Sequence, residues 1–216
     1  MPPPSPSPAR RLPRRLVQLV VGLGLYGVSL AMLVRGGLGL APWDVLHQGI
    51  AEQVDVSLGL VLIAVSFAVL LLWIPLRERP GVGTLANALL VGVFVDLTLV
   101  VLDDATGLVA RAGLLVAGVA INGVATALYI GARLGAGARD GLMTGLVRRT
   151  GRSVRVVRTT IEVLVLATGW LLGGTVGVGT ALYAVAIGPI AHALLPVFDV
   201  GRGQPPGPSA TTGRTA

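Results

Sequence analysis

Two aspartates stand in short polar segments that interrupt long apolar runs. Asp44 belongs to LGLAPWDVLH, residues 38–47, and Asp140 belongs to LGAGARDGLM, residues 134–143, which follows 96 residues later. Pro42 suits the first position of a helix, which makes Asp44 the third helical residue, and Asp140 has the same place in the second motif. Both aspartates then lie near the positive end of a helix dipole. Two interpretations stay open: helix-start chemistry alone, or two half-helices that enter the membrane and present both aspartates to a substrate or an ion.

Four further residues join these aspartates as candidate substrate- or ion-binding residues. Trp43 and His47 flank Asp44 in the first polar segment. Asp96 lies inside an apolar run, where a carboxylate is costly unless it faces protein or water, and its counterpart 96 residues later is His192. Asp96 and His192 either couple protons or ions, or they simply reach the membrane interface.

Arg158 and Glu162 carry opposite charges four residues apart on one predicted helix face. This spacing favours a structural ion pair. The sequence contains no HExxH motif, nucleophile elbow or phosphate-binding loop, and no cysteine. We therefore predict neither an enzyme nor a catalytic residue, and neither a metal site nor a cofactor.

The composition indicates a protein whose solvent is lipid. Of the 216 residues, 53% are hydrophobic and only 12% are charged. Six continuously apolar stretches have about the twenty residues that a helix needs to cross a bilayer. A basic, proline-rich tail precedes them and a second tail follows, both predicted to be disordered. The predicted spans are 16–34, 58–76, 82–102, 112–132, 155–174 and 178–197, and the tails are 1–15 and 201–216.

The arginines predict the orientation. If both termini lie in the cytoplasm, every arginine except Arg35 and Arg111 falls on the inner side, as the positive-inside rule requires. The net charge of +7 thus reports membrane topology and not a nucleic-acid partner. We expect a multi-pass protein of the bacterial cytoplasmic membrane.

The chain contains an internal duplication. Residues 19–96 match residues 115–192 at 22 of 78 positions without a gap, including the segment GVGT at 81–84 and 177–180. Each copy holds three spans with a short polar helix after its first span. Because three is odd, the second copy must cross in the opposite sense, which predicts two inverted-topology repeats over 16–102 and 112–197.

The segments GLGLAPWDVLHQGI, GVGT, LGAGARDGLMTGL and the long run from TGRSVRVV to AIGPI resemble the YczE/YitT-type family of bacterial integral membrane proteins. The resemblance covers about residues 16–197. It implies a multi-span membrane protein without an assigned biochemical activity. Ala138 stands where the family's second motif often has proline, which weakens the helix-start argument in the second copy.

Two functions remain open. The inverted repeat with a short helix in each half favours a small secondary transporter or permease, whose solute or ion binds at the repeat interface. The alternative is a non-transporting accessory or regulatory protein, which uses the arginine-rich loop 148–158 to bind a partner or anionic lipid. The abundant glycines permit a homodimer.

Overall fold

The computed structural model describes residues 8–200, with side chains from Leu12 onward, and every regular element in that range is an α-helix. This confirms the all-α expectation for these residues. The helices in this range are α1 (Pro8–Gly36), α2 (Pro42–Val54), α3 (Leu58–Leu76), α4 (Val82–Val101), α5 (Leu108–Gly131), α6 (Ala138–Thr150), α7 (Val154–Leu171) and α8 (Val178–Phe198).

Helix α1 begins earlier than the sequence predicts. Residues 1–15 are expected to be disordered, but α1 already begins at Pro8. Proline is compatible with the first helical turn, and the arginines that follow are good helix formers. The Arg15 guanidinium also donates to two backbone carbonyls just beyond α5, at 2.8 and 2.6 Å, and this ties the first turns to the fold. Residues 1–7 and the predicted tail 201–216 lie outside the described residues.

Five helices, α1, α3, α4, α5 and α8, are long and apolar enough to cross a membrane. Apolar side chains on them face outward; Val100, for example, is 83% exposed. Such a surface is expected where lipid surrounds the helices. The predicted span 155–174 corresponds to α7, which has 18 residues but carries Arg155, Arg158 and Glu162. The chain is thus a multi-span helical membrane protein, and a sixth span remains a prediction.

The helix starts follow the internal duplication. The first residues of α2 and α6, of α3 and α7, and of α4 and α8 are each 96 positions apart. Ser57 and Ser153 each accept a backbone N–H in the first turn of the helix that follows. Thr84 and Thr180 each accept the N–H of the glycine that opens the GVGT segment. Equal residues therefore cap equal helices in the two copies.

The two copies interlock. Helix α2 packs against α7, and α6 packs against α3. The Leu38 carbonyl oxygen accepts the Gly179 N–H at the start of α8, at 2.8 Å. The Leu134 carbonyl oxygen likewise accepts the Gly83 N–H at the start of α4, also at 2.8 Å. The loop before each short helix is thus held by the other copy's last helix.

Glycine is required where these loops cross. Gly39 and Gly135 have φ angles of +118° and +142°, which residues with a Cβ rarely adopt. A Cβ at Gly39 would lie 2.8 Å from the Thr180 hydroxyl, and one at Gly135 would lie 2.7 Å from that of Thr84. The repeated glycine therefore permits both the turn and the close approach.

One packing relation is not shared by the two copies. Helices α1 and α5 form the centre, with α4 beside α1 and α8 beside α5. Helix α3 packs along α4, but α7 and α8 make no comparable contact within the described residues. Gly92 of α4 lies against Gly59 of α3, whereas a Cβ on Gly188, the counterpart of Gly92 on α8, would meet no atom within 4 Å. Helices α7 and α8 therefore stand apart from each other, and we call the space between them the α7–α8 gap.

Candidate functional site

The two short helices begin close together at the centre of the molecule. Ala41 and Gly137 are the extended residues that precede α2 and α6. Asp44 and Asp140 are each the third helical residue, as the sequence predicts, although neither side chain caps its helix. A carboxylate in the first turn is favourably placed in the helix dipole. The start of each short helix thus brings one carboxylate to the interface between the copies.

Asp44 sits at the centre of a buried polar cluster. It is 2% exposed, and so is His47, whose Nδ1 lies 3.3 Å from the Asp44 carboxylate. The Arg139 guanidinium reaches the same carboxylate oxygen from α6, at 3.3 Å. Arg139 also lies over the ring of Trp43, 5.5 Å from its centre, at a distance suited to a cation–π contact. One ion pair therefore joins the two short helices.

The neighbours within this cluster determine the protonation states of Asp44 and His47. Burial alone would raise the pKa of Asp44, but the Arg139 guanidinium and the hydrogen bond with His47 outweigh burial and lower that pKa below its ordinary value. Burial lowers the pKa of His47, and Asp44 only partly offsets it. At neutral pH the cluster therefore contains a charged Asp44, a charged Arg139 and a neutral His47.

A cavity of about 170 Å³ lies beside the cluster, where both short helices begin. All three tyrosines of the chain line it, one each from α1, α5 and α8: Tyr26, Tyr129 and Tyr183. Trp43, Arg139 and Asp140 line it as well. The cavity is small beside the ~300–1,000 Å³ of typical ligand pockets. It suits a small solute or ion.

Asp140 faces this cavity with an exposed side chain. Its carboxylate accepts a hydrogen bond from the Tyr129 hydroxyl at 3.1 Å. Trp43 is 7% exposed, yet its ring N–H has no hydrogen-bond partner among the described residues. A buried donor normally has one, so a water molecule or a ligand atom would satisfy it.

The predicted ion pair between Arg158 and Glu162 is confirmed. The Arg158 Nε donates to a Glu162 carboxylate oxygen at 2.8 Å on α7. Both side chains line the cavity on the side where α7 stands apart from α8. Two of the three charges on α7 therefore line the cavity and pair with each other, whereas Arg155 is not among the lining residues.

Asp96 and His192 do not line the cavity. The Asp96 carboxylate accepts hydrogen bonds from the Ser57 hydroxyl and from the Gly59 N–H, each at 2.7 Å. It thereby joins α4 to the start of α3. His192 is exposed on α8. The structure thus brings together Trp43, Asp44, His47 and Asp140, and places the other two candidates elsewhere.

Sequence reasoning missed Arg139 and the three tyrosines. Arg139 occupies the position in the second copy that Trp43 occupies in the first. Because the copies interlock, the Arg139 guanidinium stacks on the Trp43 ring. The alignment of the two copies could have indicated that Arg139 belongs to the site. The tyrosines carried no such signal, since they are far apart in sequence. Within residues 8–200, no group of three acidic or histidine side chains is arranged to hold a metal ion.

The fold and the site define a polytopic α-helical membrane protein with a cavity between its two short helices. The chain belongs to DUF6198, a family of unknown function, which it matches over residues 13–196. It is similar to an uncharacterized protein of Haemophilus influenzae, 41% identical over 180 residues that cover 83% of each chain. It is also similar to the uncharacterized membrane protein YczE of Bacillus subtilis, 35% identical over 176 residues, 79% of this chain and 80% of YczE. The predicted resemblance to YczE is therefore confirmed. No solved structure matches the chain.

Proposed function

We propose that this protein is a small secondary transporter of the bacterial cytoplasmic membrane, whose solute or ion binds in the cavity between the two short helices. The observation that carries the proposal is the convergence of polar side chains. In a chain with 12% charged residues, two ion pairs, one further carboxylate and all three tyrosines meet at one cavity. Polar groups at membrane depth are costly and mark solute or ion pathways.

The interlocked copies support an inverted-topology repeat with α7 as the sixth span. Exchange of the copies converts the contact of α2 with α7 into that of α6 with α3, and the contact of α1 with α4 into that of α5 with α8. A pseudo-two-fold axis in the membrane plane has this effect, and transporter sites lie on such axes. Two of the three charges of α7 can be accommodated because Arg158 and Glu162 line the cavity, and the third, Arg155, lies in the first turn of the helix.

The α7–α8 gap supplies a path by which a solute or ion can enter the cavity. With both termini in the cytoplasm, the contact between Asp96 and the start of α3 closes the outer end of the α3–α4 pair. The corresponding end of the α7–α8 pair, near His192, then lies on the inner side. We therefore expect the cavity to communicate with the cytoplasm.

Cysteine accessibility tests this path, since the native chain has no cysteine. Ser66→Cys and Asn87→Cys place thiols on the cavity lining. Leu72→Cys is the control, because Leu72 is 51% exposed on the outer surface of α3, where lipid excludes a charged reagent. A membrane-impermeant thiol reagent is added to right-side-out and to inverted vesicles.

We expect both cavity cysteines to react in inverted vesicles and the control cysteine to react in neither preparation. If neither cavity cysteine reacts from either side, while both react after denaturation, the cavity has no aqueous path. That outcome overturns the transporter proposal.

The alternative is an accessory protein that binds anionic lipid through the loop 148–158. Three of its arginines already have partners: Arg148 donates to the Leu76 carbonyl, Arg149 donates to the Pro75 carbonyl, and Arg158 pairs with Glu162. Arg148 and Arg149 thereby hold the end of α3. This structural use of the loop makes the alternative the weaker candidate.

A further inference from the structure

The charges around the cavity do not balance. Asp44 pairs with Arg139, and Glu162 pairs with Arg158. Asp140 also lines the cavity, but among the residues with described side chains no arginine or histidine forms a salt bridge with it. Neither ion pair has a net charge, so Asp140 leaves the cavity lining with one negative charge in excess, which an occupant with a single positive charge would compensate.

The helix starts do not make the cavity an anion site. A free helix N-terminus attracts anions, but the first turns of α2 and α6 already contain Asp44 and Asp140. The Arg139 guanidinium is likewise engaged by Asp44 and by the Trp43 ring. The positive groups of the site are therefore already compensated.

The walls favour an organic cation over a bare metal ion. A divalent metal ion is usually held by several acidic side chains together, and within the described residues no group of three acidic or histidine side chains is arranged to hold one. Three tyrosine rings line the same cavity, with Tyr26 and Tyr129 edge to face at 6.5 Å. Aromatic faces attract ammonium groups and form cages around them. The volume of about 170 Å³ restricts the occupant to a small molecule.

We propose that the cavity binds a small organic ammonium ion, with Asp140 as its counter-charge and the rings of Tyr26, Tyr129 and Tyr183 as its walls. The proposal deepens the proposed transport function, because it names the class of solute that the same cavity takes. It makes Asp140 and the tyrosine rings the determinants of specificity.

Equilibrium binding tests the proposal with the purified full-length chain in lipid nanodiscs. The probe is radiolabelled tetramethylammonium at constant ionic strength, with sodium, potassium and acetate as competitors. We expect saturable binding that none of the competitors displaces at a tenfold excess. Asp140→Asn should weaken binding at least tenfold. Asp104→Asn is the matched control, since Asp104 is 79% exposed and away from the cavity, and it should leave binding unchanged.

A second pair of variants tests the rings without touching a charge. Tyr26→Phe retains the aromatic face and should bind the probe within about twofold of the wild type. Tyr26→Leu removes the face and should weaken binding at least fivefold. Size-exclusion profiles that match the wild type show that the variants are folded.

Three results would overturn the proposal: wild-type binding by Asp140→Asn, displacement of the probe by acetate, or equal binding by the two Tyr26 variants. Displacement by sodium or potassium would overturn the organic nature of the ligand. These failures are distinct from failure of the transport proposal. If the cavity cysteines react with the thiol reagent but the protein binds no ammonium ion, the transport proposal stands and only the proposed class of ligand is wrong.

Discussion

Helices α3 and α4 and helices α7 and α8 occupy equivalent places in the two copies, but only the first pair is closed. In that pair, Gly92 lies against Gly59, and Asp96 receives hydrogen bonds from the Ser57 hydroxyl and from the Gly59 N–H at the start of α3. Two glycines let the backbones approach, and one carboxylate joins the helix ends.

In the second pair, Arg155 replaces Gly59 and His192 replaces Asp96. A long basic side chain takes the place of the small residue, and the carboxylate that would accept the Ser153 hydroxyl and the Arg155 N–H at the start of α7 is missing. Gly188 is retained but has no neighbour. Two differences between the copies therefore fall at the contact that joins α3 to α4 and that has no counterpart between α7 and α8.

The largest expected effect comes from filling the glycine contact of the closed pair. Gly92→Leu places a side chain where the Gly59 carbonyl and Ile63 already lie. We expect a loss of about 3 kcal/mol of stability from overpacking, measured as thermal unfolding in detergent. The matched variant Gly188→Leu adds the same side chain at an open position. It should change stability by less than about 1 kcal/mol, since helix propensity is then the main term. Equal losses in the two variants would contradict the comparison.

The hydrogen bonds of Asp96 should have a smaller effect. Asp96→Asn keeps the shape of the side chain but loses the charge and the bond from Ser57. We expect a destabilisation of about 1.5 kcal/mol, the usual contribution of a hydrogen bond to a charged group. His192→Asn, at the exposed counterpart, should stay within about 0.5 kcal/mol of the wild type. If Asp96→Asn impairs binding of the solute while stability is unchanged, Asp96 has a functional role after all.

Much of the helix layout could be predicted because the duplication repeats its boundary residues. The span 58–76 has the predicted limits, and the repeated GVGT segments mark the starts of α4 and α8. The early start of α1 at Pro8 differs from the prediction, and the bonds from Arg15 to backbone beyond α5 that help to hold this end arise only in the folded chain. Local composition predicts a helix boundary well only where no contact with a residue distant in sequence stabilises the helix end.

The site was predictable in part for the same reason. Asp44 and Asp140 stand in the repeated motif, so their shared position at a helix start was visible. The tyrosines lie on three separate helices, and only the interlocking of the copies brings them to one cavity. The pairing of Asp44 with Arg139 is also an effect of this crossing, since each residue comes from a different copy.

The smallest effect is expected from the buried histidine that only the first short helix carries: α2 has His47 where α6 has Met143. Burial lowers the pKa of His47, so the unfolded chain binds a proton on this side chain at a higher pH than the folded chain does. Stability should therefore be constant above pH ~6.5, the usual histidine pKa, and fall by up to about 1.4 kcal/mol per pH unit below it.

Asp44 does not contribute to this slope, because Arg139 and His47 outweigh its burial and hold its pKa below the ordinary carboxyl value. The measurement is thermal unfolding between pH 8 and pH 5, with His47→Gln as the comparison. Glutamine keeps a donor for Asp44 but does not titrate, so its profile should be flatter than that of the wild type. Equal slopes in the two proteins would show that the buried cluster of α2 is not the source of acid sensitivity, and that the two short helices are equivalent in this respect.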